Sequence, residues 1–295
     1  MIQVPERPLR IFSDELSATI NDKGMLDVDV VKGCTIGMRT RPGTGCYGTC
    51  YAAALYKFRG FDFATSVVRT ARTPESRRAI EDAVAQAPRG FFRIGTIGDP
   101  SHAWEETVNT VEWLSPFARP VIVTKHWMRA TEEQYRRLVA CHAVLNTSVS
   151  ALDTDAELSY RLKEVRRFEM CGGDSVARVI SCKFNREHPE GARMGEIQDR
   201  LFMLRPVLDN PLRVATTHPL VTSGVIHTVR VQDLNAVRTV SLENQETYLG
   251  HCSECPDVCG IALVETRHAT VMPHRAMQLA FEAFGGEIDD AHAQG

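Results

Sequence analysis

The chain has 295 residues, 43% of them hydrophobic and 24% charged, with a net charge of −3. That suits one large α/β domain with a sizeable core and excludes a generic polyanion binder. No apolar run approaches the roughly 20 residues that span a bilayer, and the opening "MIQVPERPLRIFSDEL" lacks a basic-then-apolar leader. These features lead us to expect a cytoplasmic protein without membrane contact, where clustered cysteines stay reduced and bind metal more often than they pair.

The first predicted strand is "VDVVKG" (28–33), which runs into the glycine-rich stretch "KGCTIGMRTRPGTGCYGTCYAAAL". "FFRIG" (91–95) is the next apolar, β-branched or aromatic run. A helix follows Asp99-Pro100-Ser101, with Trp104, Val108 and Val111 on one face. "PVIVTK" (120–125) is a strand, and Thr131 with Gln134 forms a capping box ahead of Tyr135 and Leu138. "AVLNTSVS" (143–150) precedes a second box, Thr154 with Glu157, ahead of Leu158, Leu162 and Val165. "VARVISCK" (176–183), a helix marked by Met194, Ile197 and Leu201, and "LRVATTH" (212–218) complete the alternation. About six parallel βα units predict an α/β fold of the TIM-type barrel kind, partial or full. We expect one domain over 1–285, with a cluster-binding loop at 28–60, a cysteine-containing extension at 242–285 and a dispensable tail at 286–295.

Parallel sheets carry their chemistry at the carboxyl ends of strands. The residues found there are Cys34; Asp99 and His102; Thr124, Lys125 and His126; Ser148 and Ser150; Lys183 and Asn185; and Thr217 and His218. Helix caps explain polar residues at single strand ends, but their recurrence favours an active-site rim. Lys125 is the leading catalytic candidate, because a lysine closing an apolar strand is costly to bury without a partner. Asp99 is its expected counter-ion, and the pair would clamp a zwitterion or an anionic substrate. The competing reading is an ordinary salt bridge between neighbouring strands.

The nine cysteines cluster. Cys34, Cys46 and Cys50 fall in the first loop among Gly33, Gly37, Gly43, Gly45 and Gly48, and Cys252, Cys255 and Cys259 fall in "GHCSECPDVCG". Cys141, Cys171 and Cys182 stand apart and read mainly as small hydrophobes. Structural zinc takes four protein ligands, whereas three thiolates leave one iron of a cubane open. The first triplet therefore leans toward a [4Fe-4S] cluster. The second admits an auxiliary cluster, or zinc with His251 as fourth ligand.

A first strand, a three-cysteine loop and further βα units resemble the radical S-adenosylmethionine superfamily. Cys46 and Cys50 match the first half of its Cys-x3-Cys-x2-Cys motif; position 53 is Ala, and Cys34 lies upstream. The run from Cys46 to Ala52, together with the late triplet, is closest to the radical-SAM-like proteins of phages and mobile elements. The resemblance implies an iron–sulfur enzyme that cleaves S-adenosylmethionine reductively, with an external electron donor and an unknown substrate. It places Gly95 and Gly98 near the amino-acid end of that cosubstrate, Ser148 or Ser150 near its ribose or carboxylate, and Tyr47 or Tyr51 against its adenine.

Two other readings stand beside it. One is an iron–sulfur enzyme using its open iron directly for redox or Lewis-acid chemistry. The other is a metal-stapled nucleic-acid-binding module, since the basic segment 39–78 interleaves Tyr47, Tyr51, Tyr56, Phe58, Phe61 and Phe63 with arginines and lysines.

Overall fold

The computed structural model describes residues 14–41, 45–233 and 236–269. Gly43, residues 270–285 of the predicted extension and the 286–295 tail lie outside the described residues. A seven-stranded sheet forms the frame, in the order Val207–Asp209, Asp174–Val179, Val144–Val149, Arg119–Thr124, Phe91–Ile94, Leu26–Asp27 and Thr19–Ile20. All neighbours are parallel except the last pair. The two edge strands do not pair with each other, so among the described residues the sheet is open and the full barrel does not form.

The helices Trp104–Leu114, Glu132–Ala140, Asp155–Met170 and Pro189–Phe202 each link one parallel strand to the next. Both expected capping boxes form, at Thr131/Gln134 and Thr154/Glu157. The predicted apolar stripes of all four helices are buried. These crossovers cover one face of the sheet. The opposite face, here the inner face, carries Asp27, Arg93, Val123, Asn146, Ser148, Val176 and Arg178 in register. There the C-terminal segment lies down: Asn146 Nδ2 donates to the Cys259 carbonyl at 2.9 Å. Gly260 sits so close that a Cβ would stand 2.8 Å from Val176 Cγ2.

Three strand expectations shift. The first parallel strand is Leu26–Asp27; Val31–Lys32 turns into a small separate sheet. The 176–183 run ends as a parallel strand at Val179, and Lys183–Phe184 pairs antiparallel with Ile226–His227. The 212–218 run is not in the central sheet, because Leu212–Arg213 pairs antiparallel with Ala236–Ser241. The last parallel strand is Val207–Asp209, too short to show a period of its own.

No helix of the described residues is long and apolar enough to cross a membrane.

Candidate active site

The first cysteine loop crosses the carboxyl end of the sheet. The Gly33 N–H donates to the Ile97 carbonyl at 2.9 Å, and Gly33 bridges Gly98, which fastens the loop to the strand end beside it. Cys34 then caps the helix Thr35–Thr40, and Cys50 caps the helix Tyr51–Lys57, its sulfur accepting the Ala53 N–H at 3.5 Å. Both pack against the small apolar cluster of Met38, Ala52, Ala53 and Phe63. Cys46 opens the turn between them and packs against the cluster that holds Tyr47 and Val149. The loop is close-built: a Cβ on Gly37 would stand 2.6 Å from Cys34 Sγ, and one on Gly45 would stand 2.7 Å from Cys50 Cβ. Burial pushes all three thiols up, and Cys34 rises further through Asp99 and the other two sulfurs.

Lys125 stands beside this loop, but its counter-ion differs from expectation. Asp99 binds backbone and hydroxyl: its carboxylate accepts the Lys125 N–H at 2.7 Å, the Thr124 hydroxyl at 2.7 Å and the Ser101 N–H at 2.9 Å. The Lys125 ammonium instead donates to Asp153 Oδ1 at 3.4 Å and to the Tyr47 hydroxyl, and it lies 3.7 Å from the centre of the Tyr47 ring. Asp153 is shared: Arg161 Nη1 stands 2.6 Å from the same oxygen, and the Ser150 N–H donates to the other at 2.9 Å. Burial lifts the Asp153 carboxyl, but Lys125 and Arg161 outweigh it and hold the group below its usual range. Burial, reinforced by Arg161, lowers the Lys125 pKa. The cluster thus has two cations around one fully buried carboxylate, with Cys46 in their field.

The other rim candidates divide. His102 is buried with Nε2 3.6 Å from Cys34 Sγ, while its Nδ1 has no partner among the described residues. His218 accepts the Leu220 N–H at Nδ1 and donates through Nε2 to the Tyr47 carbonyl, 2.9 Å away, and so holds the loop. Lys183 is not on the rim: it is exposed, 3.8 Å from Glu243, because its strand belongs to the antiparallel pair. Asn185 binds the Gly224 carbonyl, far from the loop in the chain's course. Ser150 Oγ accepts the Leu152 N–H at 3.2 Å, closing its own turn, and donates to the Ile180 carbonyl at 2.7 Å. His126 pairs with Thr147 on the helix-covered face, and burial pulls its ring down to about 4.

Gly95 and Gly98 both have a packing reason. A Cβ would stand 2.0 Å from the Val123 carbonyl oxygen at Gly95, where φ is +103°, and 2.3 Å from the Val31 carbonyl oxygen at Gly98. The Gly95 and Thr96 N–H groups both donate to Asp29 Oδ1 at 2.7 Å; burial and the adjacent Asp27 nonetheless push Asp29 up to about 7. Tyr51 reaches across the mouth to donate to the Thr96 carbonyl.

The second triplet lies against the inner face of the sheet, with Cys259 buried in the main apolar core and Cys252 packed against it. Cys252–Glu254 and Val258–Gly260 are single turns, and the Cys252 N–H donates to the Lys23 carbonyl at 2.9 Å. Val258 and Cys259 both have positive φ, as does Tyr47 in the first loop, and such strain at non-glycine residues gathers at functional sites. Cys252 and Cys259 lie within electrostatic reach of Arg178, and Cys259 also of Arg93. Tyr51, the residue after Cys50, is within reach of Arg178 too. His251 caps its turn with its backbone carbonyl. Among the described residues, no three His, Cys, Asp or Glu side chains converge tightly enough to hold a single metal ion.

Sequence reasoning missed Asp153, Arg161, Arg93 and Arg178. Their signal is a charge on an apolar pattern: Arg161 falls inside the stripe of Leu158, Leu162 and Val165, and Arg93 and Arg178 stand in the middle of the "FFRIG" and "VARVIS" strands.

Compared with known proteins, the chain matches no family model, and no curated protein or solved structure is significantly similar to it.

Proposed function

We propose that the protein is an iron–sulfur enzyme of the radical-SAM-like type, built as a partial (β/α) barrel whose rim bears the first cluster. The observation that carries the proposal is the first loop: three thiols on close-built turns at the carboxyl end of a parallel sheet, beside a buried ion cluster of Lys125 and Arg161 with Asp153, and with Glu157 3.7 Å from Arg161. Thiol donors suit iron–sulfur clusters. A cubane takes one thiolate per iron, and three thiolates leave one iron open. The residues that would hold it are Cys34, Cys46 and Cys50; Cys252, Cys255 and Cys259 would hold the auxiliary group. When bound, the cluster supplies the electron that cleaves S-adenosylmethionine and starts radical chemistry on the substrate.

The chain's own residues serve that chemistry in definite ways. Lys125 and Arg161 offset the negative charge that clustered thiolates bring into a buried site. Asp99 holds the turn that carries Lys125, and His218 holds the carbonyl of Tyr47. Tyr51 covers the mouth at Thr96. The nucleic-acid reading draws less support, because Tyr56, Phe61 and Phe63 pack on one another, with Lys32 over Tyr56 and Phe61. The test is anaerobic reconstitution with iron and sulfide, followed by a reductant and S-adenosylmethionine. Methionine and 5′-deoxyadenosine should appear; a reconstituted cluster that leaves the cosubstrate intact would move the chemistry to the open iron itself.

A further inference from the structure

The inner face of the sheet carries three polar side chains whose hydrogen bonds are incomplete. Arg178 makes no hydrogen bond or ion pair among the described residues, although it is half-buried. Ser148, its register partner on the next strand, is buried, and its hydroxyl likewise has no partner among the described residues. Asn146, two residues back on the same face, donates to the Cys259 carbonyl, but its buried Oδ1 is unpaired. The neighbouring guanidinium groups are neutralised. Arg93 binds Asp27 through two contacts of 2.9 and 3.3 Å, Arg161 meets Asp153, and Arg119 meets Asp174 at 2.9 Å.

A guanidinium keeps its charge at any working pH, and a cation withdrawn from water without an anion is strongly disfavoured. Burial and Arg93 act against the charge on Arg178, while Cys259 and Cys252 favour it. The C-terminal segment covers the row at Asn146 and Val176, just short of Arg178 on the rim side. Cys252 and Cys259 act on Arg178 from the C-terminal segment, and Tyr51, the residue after Cys50, acts on it from the first loop.

We propose that Arg178 and Ser148 anchor an oxyanion of the substrate, a carboxylate or phosphate, with Arg178 gripping two oxygens and the Ser148 hydroxyl donating to one of them. A planar two-oxygen anion matches the guanidinium fork. The unpaired Asn146 Oδ1 adds an acceptor for an N–H or O–H on the same molecule. This assignment rests on the reading of the inner face as an enzyme's substrate pocket, and binding tests it without turnover.

The probes are inorganic phosphate and acetate, titrated calorimetrically into the anaerobically purified full-length protein and into Arg178→Met, Arg178→Lys and Ser148→Ala. Iron, zinc and sulfide are determined on the same samples. Wild type should bind one of the two probes saturably, and which one binds identifies the anion. Arg178→Met should weaken that binding by about tenfold or more, Arg178→Lys should recover part of it, and Ser148→Ala should lose less, with metal content unchanged. Saturable binding of neither probe, or equal binding by wild type and Arg178→Met, would overturn the proposal. So would a loss of metal in Arg178→Met with probe affinity intact, which would make the arginine a counter-charge to Cys252 and Cys259. So would weaker S-adenosylmethionine binding in Arg178→Met with probe affinity intact. Absence of iron and sulfide in wild type would count against the radical reading alone and leave the binding result standing.

Discussion

Lys125 ends an apolar strand and is buried, so it needs an anion, and it finds one on the next loop. Asp153 is the shared partner of Lys125 and Arg161, and its removal leaves Lys125 buried without a carboxylate beside an Arg161 that keeps only the longer contact to Glu157, 3.7 Å away. Asp153→Ala should therefore lose about 3–5 kcal/mol in urea unfolding, whereas Lys125→Met, which leaves the Arg161–Asp153 pair, should lose much less. The pH dependence has a definite sign. The Asp153 carboxyl is held below its unfolded value, so its contribution is present above about pH 4 and disappears as pH falls through the folded value. Asp29 behaves oppositely: with its pKa raised to about 7 from 3.8, its fold prefers the neutral acid, and stability is lost as pH rises from 4 to 7. Asp29→Asn keeps an acceptor for the Gly95 and Thr96 N–H groups. It should gain on wild type by up to about 1.4 kcal/mol per pH unit across that interval, read from unfolding midpoints at pH 5 and pH 8. At this scale the sequence speaks through local surroundings. Lys125 stands out because charge interrupts an apolar run, but its partner lies 28 residues along the chain and depends on which side chains face one another. Asp99 is nearer in role than in contact: sequence places it on the rim, and only the turn shows that it binds the lysine's backbone.

The elements that show most clearly in the sequence are those with both a period and a boundary. The helices Glu132–Ala140 and Asp155–Met170 carry capping boxes and buried stripes at helical spacing, and both form as expected. Arg119–Thr124 and Val144–Val149 are long enough to show their β-branched character, and Phe91–Ile94 shows as an aromatic and apolar run. Leu26–Asp27 and Val207–Asp209 are too short for any period, and their pairing comes from neighbours rather than from local preference. Short connections between strands and loops also depend on glycines that admit close approach. Gly95 has φ +103° and no room for a Cβ beside the Val123 carbonyl. Gly95→Ala should lose roughly 1–3 kcal/mol from backbone strain alone and should also disturb the Asp29 contacts, visible as a lower urea midpoint and a changed pH slope.

Across the whole molecule, the late cysteine segment packs on the sheet and belongs to its core. The helix Ile261–Ala269 reaches the amino ends of the strands, where Arg119 bonds Glu265 at 3.1 Å and Arg267 bonds Glu169 at 2.9 Å. One apolar core joins Leu16 and Met25 to Cys259, Ile261 and Val264, so the last described turns complete the packing that the first ones begin. The alternation of strands and helices announces an α/β sheet, but whether it closes depends on edge pairing, which no single segment encodes. The same holds for the late triplet: it is plain as a sequence cluster, while the approach of Cys259 to Arg93 and Arg178 arises only when the chain's end returns across the inner face.

The central claim, that the thiols hold iron–sulfur clusters, is tested most directly by iron, zinc and acid-labile sulfide per chain after anaerobic purification, in wild type, Cys34→Ala and Cys259→Ala. Wild type should contain iron and sulfide in about equal amounts, and each variant should lose part of both while the other triplet keeps its share. Stoichiometric zinc without sulfide, or an iron content that neither substitution changes, would contradict it.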